Sequence, residues 1–523
     1  MKALCIIFIF LLTPLFSFAA MKVGVWKENI TPTLSELSDS CIGGYGLPLT
    51  NPRCGVTEIH DYLSLRALYM ESKDMQLSML VFDTTGIGDS IIHDIRQRVK
   101  ELTDRLNTIN LVIVATHTHG GLDYQGIWGG IGTKYRGRIV DMAARTIIQA
   151  QSTAKYVETF AAQTHVPIYN RRGWDVVDDN VTTLFFNSRE TNKPIATLVN
   201  LSAHPTILDG NNIQYSSDYI DSLRANIEGK RGGMTIFVNG ILGDAQFNTS
   251  ERTFEKAEEI GNLAANAILE SEKEKQKVKG SLDVSTMSFN HTITNTAMLQ
   301  LQNNGVLDIN LNDKNQISVD LKYAHIGKDI SLLTFPGEAL SRLGLPIMHE
   351  MDGKYKLFVG LANASYGYFI PSDEFGTIPG RNTEEMFSMD KYAADRIKKL
   401  INLNIKNANN FLYWGDNDRK GEISDLYQYN NPYNGDLEYF KLVGLGNDGR
   451  YWYFPTDKTN NKYWEYIGPY EWCDNRKIGN IYLYKNPLNN NKELFQLINL
   501  DNNSYFPTDR TNNKYWKYVG DVK

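Results

Sequence analysis

Side chains able to bind a metal or polarise a carbonyl gather in five segments, each directly after a short apolar run. The first, ATHTHGG, places His117 and His119 two residues apart after the run 111–115. In an extended strand that spacing puts both imidazoles on one face. Histidine is the commonest ligand for a borderline metal such as zinc, although H-x-H by itself more often marks structural histidines than ligands. The second segment, SAHPT, supplies His204, locked by Pro205. The third is NGILGD at 239–244, the fourth is PGE with Glu338, and the fifth is ANASYGY, ending in Tyr368. Two histidines, one glutamate and a tyrosine oxygen make a chemically reasonable zinc shell.

The runs that would position these groups read as buried strands at 77–82, 111–115, 196–201, 235–238, 330–335 and 357–361. Helical periodicity is clearest at 89–102, 138–152, 251–271 and 391–403. Alternation of the two predicts an α/β domain, a mixed sheet with flanking helices, over residues 21–408. In open α/β sheets ligands bind at the carboxyl ends of the strands, where the five segments fall.

The chain resembles the neutral, non-lysosomal ceramidases and their bacterial relatives across most of residues 23–390. The motifs that carry the likeness are VGVWKENITP, ATHTHGG, the NRR at 170–172, VNLSAHPT, SSDY, VNGILGDAQFN, FPGE and GLANASYGY, in the family's order. The resemblance implies Zn2+ bound by His117, His204, Glu338 and Tyr368. It also implies that His119 and Arg171 line the pocket, where they would bind the substrate's polar head and the developing oxyanion. The plainer alternatives are a hydrogen bond orienting a ligand for His119 and an ordinary ion pair, with Asp178 as one partner, for Arg171. Asp218 and Asp244 could accept from ligating histidines or serve as a cap or turn residue.

Two departures bear on the substrate. Ceramidases carry a serine where this chain has Gln246, and an amide cannot attack a carbonyl. Water activated by the metal is then the attacking group, with Gln246 left to hydrogen-bond the substrate. After Tyr368 the family continues with further tyrosines, whereas this chain has Phe375 and then TEEMF at 383–387. The resemblance implies an amidohydrolase acting on a small-molecule or lipid N-acyl substrate, with a sphingolipid as one possibility. The alternatives are a zinc esterase or phosphoesterase, and a secreted binding protein with a vestigial site.

The chain has 523 residues and a formal net charge of -6, and no long Lys/Arg block, which argues against a nucleic-acid partner. A basic start, an apolar run and a small-residue end over residues 1–20 read as a signal peptide, so the expected location is secreted or periplasmic. No later segment has the roughly 20 apolar residues of a membrane helix. Cys41 and Cys54 could pair in an oxidising compartment and leave Cys473 unpaired; spacing leaves both states open. Residues 409–423, rich in Asn and Asp, suit a linker, and the polar stretch could begin as early as Asn404. Residues 424–523 form a small, mainly-β module in which 426–468 recurs as 481–520. Its aromatics, Trp452, Trp464 and Trp516 among them, serve either as the module's core or as a face for a glycan or cell-surface ligand.

Overall fold

The computed structural model describes residues 21–408 apart from 38, 47–52, 74 and 379–382. Beyond them it describes 411–413, 426–430, 437–443, 464–468, 470–471, 479–485, 492–498 and 516–521. The expected signal peptide, Trp452 and Cys473 lie outside the described residues. The chain divides into two compact units, Met1–Ile397 and Lys398–Lys523.

In the first unit the elements are, in order, β1 (Met21–Asn29), β2 (Ser64–Ser72), β3 (Met75–Phe82), α1 (Asp89–Leu102), β4 (Leu111–Ala115) and α2 (Thr133–Ser152). Next come β5 (Lys155–His165), β6 (Asn180–Ser188), β7 (Pro194–Leu201), α3 (Tyr219–Arg231), β8 (Met234–Asn239) and α4 (Phe254–Ser271). A second group follows: β9 (Leu282–Thr292), β10 (Gln316–Ile326), β11 (Ile330–Thr334), α5 (Ser341–Glu350) and β12 (Tyr355–Val359).

The first group builds a nine-stranded sheet in the order β8-β7-β6-β5-β1-β2-β3-β4, with Gln276–Val278 also pairing β5. Only the end pairs, β7 with β8 and β3 with β4, are parallel. The second group builds a four-stranded sheet, β9-β10-β11-β12. Strand alternation assigns the faces. In β3, Leu77, Met79 and Val81 pack with Leu332, Leu357 and Val359 of the second sheet, whereas Leu80 and Phe82 pack with Ile91 of α1 and Ile147 of α2. Likewise Val199 and Leu201 of β7 meet Leu223 of α3 and Ala264 of α4. The mixed sheet with helices is therefore present, but its helices cover one face and a second sheet covers the other.

The two sheets are stitched together at one end. The Asn200 amide donates to the carbonyls of Val238 (3.2 Å) and Phe358 (2.9 Å) and accepts from the Phe358 amide (3.1 Å). Backbone bonds from Gly360 to Asn239 (2.9 Å), Ala115 to Leu361 (3.2 Å) and Asn363 to Ile113 (2.7 Å) complete the seam. The chain segments leaving β4, β7, β8, β11 and β12 consequently converge.

In the second unit two four-stranded sheets share one plan. Phe411–Tyr413 pairs in parallel with Leu426–Asn430, which runs antiparallel to Leu437–Leu442, itself paired with Trp464–Gly468. The other sheet repeats these senses with Tyr470–Glu471, Ile481–Lys485, Lys492–Leu497 and Trp516–Asp521. Among the described residues each buries a ring pair, Phe440 with Tyr466 and Phe495 with Tyr518, so these four aromatics serve packing. The linker expectation needs correction. The helix Ala393–Ala408 runs through Asn404, and Phe411–Tyr413, inside the stretch expected to be linker, is a strand of the first sheet.

Candidate metal centre

Leaving β4, the chain turns into a left-handed conformation at His117, whose φ is 68°. A non-glycine residue holds that conformation only where its surroundings over-determine it. Here the His117 amide donates to Thr84 O (2.8 Å), and ring Nδ1 lies 2.5 Å from Thr85 O. His117 and His119 do face one another, Nε2 to Nε2 at 3.3 Å, but not by strand alternation, because β4 has ended at Ala115. The expected reason was wrong although the pairing stands.

His204 enters after β7. Its amide (2.9 Å) and its Nδ1 (3.2 Å) both meet the carbonyl of Ala245. Glu338 follows β11 in the short strand Glu338–Ala339, which pairs in parallel with Tyr368–Phe369 and aligns Glu338 with Tyr368. The Glu338 carboxylate lies 3.0 Å from His204 Nε2 and 3.4 Å from His117 Nε2. All three residues are buried, and their donor atoms lie within 4.8 Å of one another.

A carbonyl oxygen only accepts, so the Nδ1 atoms of His117 and His204 must carry the ring protons. In its neutral form each ring then presents an Nε2 lone pair to a carboxylate that also only accepts, and only a protonated ring could donate to it. Burial opposes ionisation of Glu338, but His117 and His204 outweigh it and hold the carboxyl well below its usual range. Burial, with Arg171 nearby, pushes His204 down to about 4, so protonating that ring does not relieve the conflict. Three buried acceptors aimed at one another fit a bound cation, and two imidazoles with a carboxylate suit zinc. The bonds from Nδ1 to backbone carbonyls are the kind that fix the tautomer of a metal-binding histidine.

Tyr368 joins through Arg171, whose Nη2 donates to its hydroxyl (3.1 Å) and to Gly243 O (2.8 Å). Burial raises the Tyr368 phenol above its ordinary value, and Glu338 adds to the rise. The acidic partner of Arg171 is Glu384 at 3.2 Å, not Asp178, which accepts from Ser202 Oγ (2.6 Å) and is pushed up to about 6 by burial. Gln246 sits between Ala245 and Phe247 in a strand paired with Ile168–Asn170, and its amide donates to the Tyr169 hydroxyl.

Neither aspartate supports a ligating histidine. Asp218 caps α3, accepting from Tyr219 N (2.7 Å) and Leu208 N (2.9 Å). Asp244 ties Asn170 Nδ2 (2.7 Å) to Ser341 N (2.8 Å). The cap reading holds for Asp218, whereas Asp244 is a long-range tie between two segments.

Sequence reasoning missed the support beneath His119. Buried Arg53 donates from Nη1 to Gly43 O (3.1 Å), from Nε to Asn212 O (3.0 Å) and from Nη2 to His119 O. The Tyr45 ring meets His119 edge-on at 4.9 Å, and the neighbouring Cys54 is disulfide-bonded to Cys41. An arginine spent on carbonyls leaves no sequence pattern; its position before Cys54 was the only local signal.

No family model matches the chain. Among solved structures, neutral ceramidase from Pseudomonas aeruginosa is similar at 16% identity and a TM-score of 0.62, over 74% of this chain and 75% of that one. The chain has a ceramidase-like fold. A ceramidase complexed with C2 matches at 16% identity and a TM-score of 0.61 over the same shares. Among the described residues no helix is long and apolar enough to cross a membrane.

Proposed function

We propose that the chain is an exported, zinc-dependent amidohydrolase that cleaves an N-acylated, ceramide-like substrate, with residues 21–408 as its catalytic part. The observation that carries this reading is the convergence of His117, His204 and Glu338, three buried acceptors, on one point. Tyr368 is the fourth donor. A bound zinc would supply a Lewis acid for the acyl carbonyl and lower the pKa of water toward neutrality.

The protein's own groups do the rest. Thr85 O and Ala245 O hold the two imidazoles with Nε2 facing inward. Arg171 can only donate, so the Tyr368 oxygen accepts from it and the phenol proton is left for another acceptor. Half-buried His119 faces the same cluster and is placed to hydrogen-bond the substrate's polar part. Gln246, held by Tyr169, has no nucleophilic atom, which favours direct attack by water over a covalent acyl-enzyme. Residues 424–523 are an accessory module in this reading, with a glycan or cell-surface component as ligand.

A hydrolysis screen of the full chain over N-acyl sphingoid bases, N-acyl amino acids and acyl or phosphate esters tests the proposal, with Glu338→Ala as the control. Amide cleavage lost in Glu338→Ala supports it. Turnover of esters or phosphates alone, or of amides equally well by Glu338→Ala, overturns it.

A further inference from the structure

Segment 383–387 holds Tyr368 from two directions. The Phe387 carbonyl accepts from the Tyr368 amide (3.0 Å). The preceding residue, Gly367, has a φ of 73°, and a Cβ there would collide with that carbonyl, so only glycine permits the approach. One helical turn earlier, in Thr383–Met386, the side chain of Glu384 is 2% exposed and lies 3.2 Å from the Arg171 Nη2 that donates to the Tyr368 hydroxyl. Its other oxygen is 3.6 Å from Nη1 of Arg172, whose Nη2 meets Glu385 at 3.3 Å. Two guanidiniums and two carboxylates thus balance in a buried cluster. Neutralising Glu384 leaves an excess positive charge beside Arg171, and a buried cation that loses its partner is displaced or rehydrated.

We propose that Glu384 is a positioning residue: through Arg171 it fixes the direction in which the Tyr368 hydroxyl presents its oxygen and proton to the metal-binding cluster. Glu384 touches Arg171 rather than the cluster, so its removal alters the Tyr368 hydrogen bond and leaves His117, His204 and Glu338 intact. Glu385 is the matched comparison, a carboxylate of the same cluster that meets Arg172 instead. The inference rests on the proposed function only for its kinetic readout.

The test uses full-length protein carrying 3-fluorotyrosine, with the Tyr368 fluorine resonance assigned from Tyr368→Phe and spectra taken with and without added zinc. Glu384→Gln is expected to move that resonance, and Glu385→Gln to leave it in place. Glu384→Gln should also lower kcat about 10-fold to 100-fold at near-constant KM and unchanged zinc content. On a Tyr368→Phe background it should add almost nothing to the loss. If the glutamine variant does not fold, Glu384→Asp, which keeps the charge at shorter reach, must shift the same resonance. An unmoved Tyr368 signal, an equal shift in Glu385→Gln, or losses that multiply with Tyr368→Phe would overturn the assignment. A wild-type chain inactive on every N-acyl substrate would defeat the proposed function instead, and the fluorine signal would still decide the role of Glu384.

Discussion

Replacing Gly44 with alanine should cripple turnover while leaving the metal in place. Gly44 sits at a φ of 98°, where a side chain costs on the order of 1–2 kcal/mol. The added methyl carbon would stand 2.8 Å from His119 Cβ and nearer still to the ring atoms. Carbon atoms pack at about 3.5–4.0 Å, so the imidazole must retreat by roughly 1 Å. The backbone cannot follow easily, because Arg53 grips the His119 carbonyl and the Tyr45 ring closes the other side at 4.9 Å. His119 Nε2 would therefore leave its 3.3 Å relation to His117. A misplacement of about 1 Å at a reacting centre costs on the order of 100-fold in rate. The assay is kcat on the best N-acyl substrate, with zinc content and a thermal melt measured on the same sample. Full turnover in folded Gly44→Ala would refute the reasoning, and so would zinc lost together with activity, because the atoms nearest the added carbon all belong to His119.

A chain ending at Ala408 should fold and keep its activity on a small soluble substrate, since every proposed site residue precedes the strand Phe411–Tyr413; a folded but inactive fragment would place part of the site in the repeats. Replacing Cys41 and Cys54 with serine should lower stability by about 3 kcal/mol, the entropy of a loop spanning 13 residues, read from denaturant unfolding with and without reductant. Burial raises Asp89 to about 7 against the bonds it accepts from Asn310 N and the Tyr366 hydroxyl. Its folded pKa lies above its unfolded one, so its contribution to stability is full below about pH 4 and is lost as pH rises through about 7. Asp89→Asn should flatten the fall in stability across that window, and an unchanged profile would count against it.

Much of the fold is legible because buried strands are contiguous apolar runs. Leu111–Ala115 reads LVIVA and has both faces covered, one by helices and one by the second sheet. The long strands Lys155–His165, Leu282–Thr292 and Gln316–Ile326 escaped because they alternate apolar residues with Thr, Ser, Asn and Lys, as partly exposed antiparallel strands do. Two of these belong to the second sheet, which is why the sequence reading named a mixed sheet with flanking helices and no second sheet. Helix Tyr219–Arg231 was passed over because the preceding SSDY drew attention as a polar cluster, when Asp218 is its cap. At the site, His117, His204, Glu338 and Tyr368 stood out as candidates from motifs after apolar runs, and the first three converge in the structure. Arg53, Tyr45 and Glu384 were not, since their partners lie 66, 74 and 213 residues away and are backbone groups, ring edges and a guanidinium.

The central claim is that His117, His204 and Glu338 form one zinc site, and metal stoichiometry tests it most directly. Elemental analysis of protein dialysed against a weak chelator and then reloaded should give about one zinc per wild-type chain. Severe loss is expected in His204→Ala, since removing one of the few protein ligands weakens binding steeply. Zinc absent from the wild type, or retained in full by folded His204→Ala, would contradict the account.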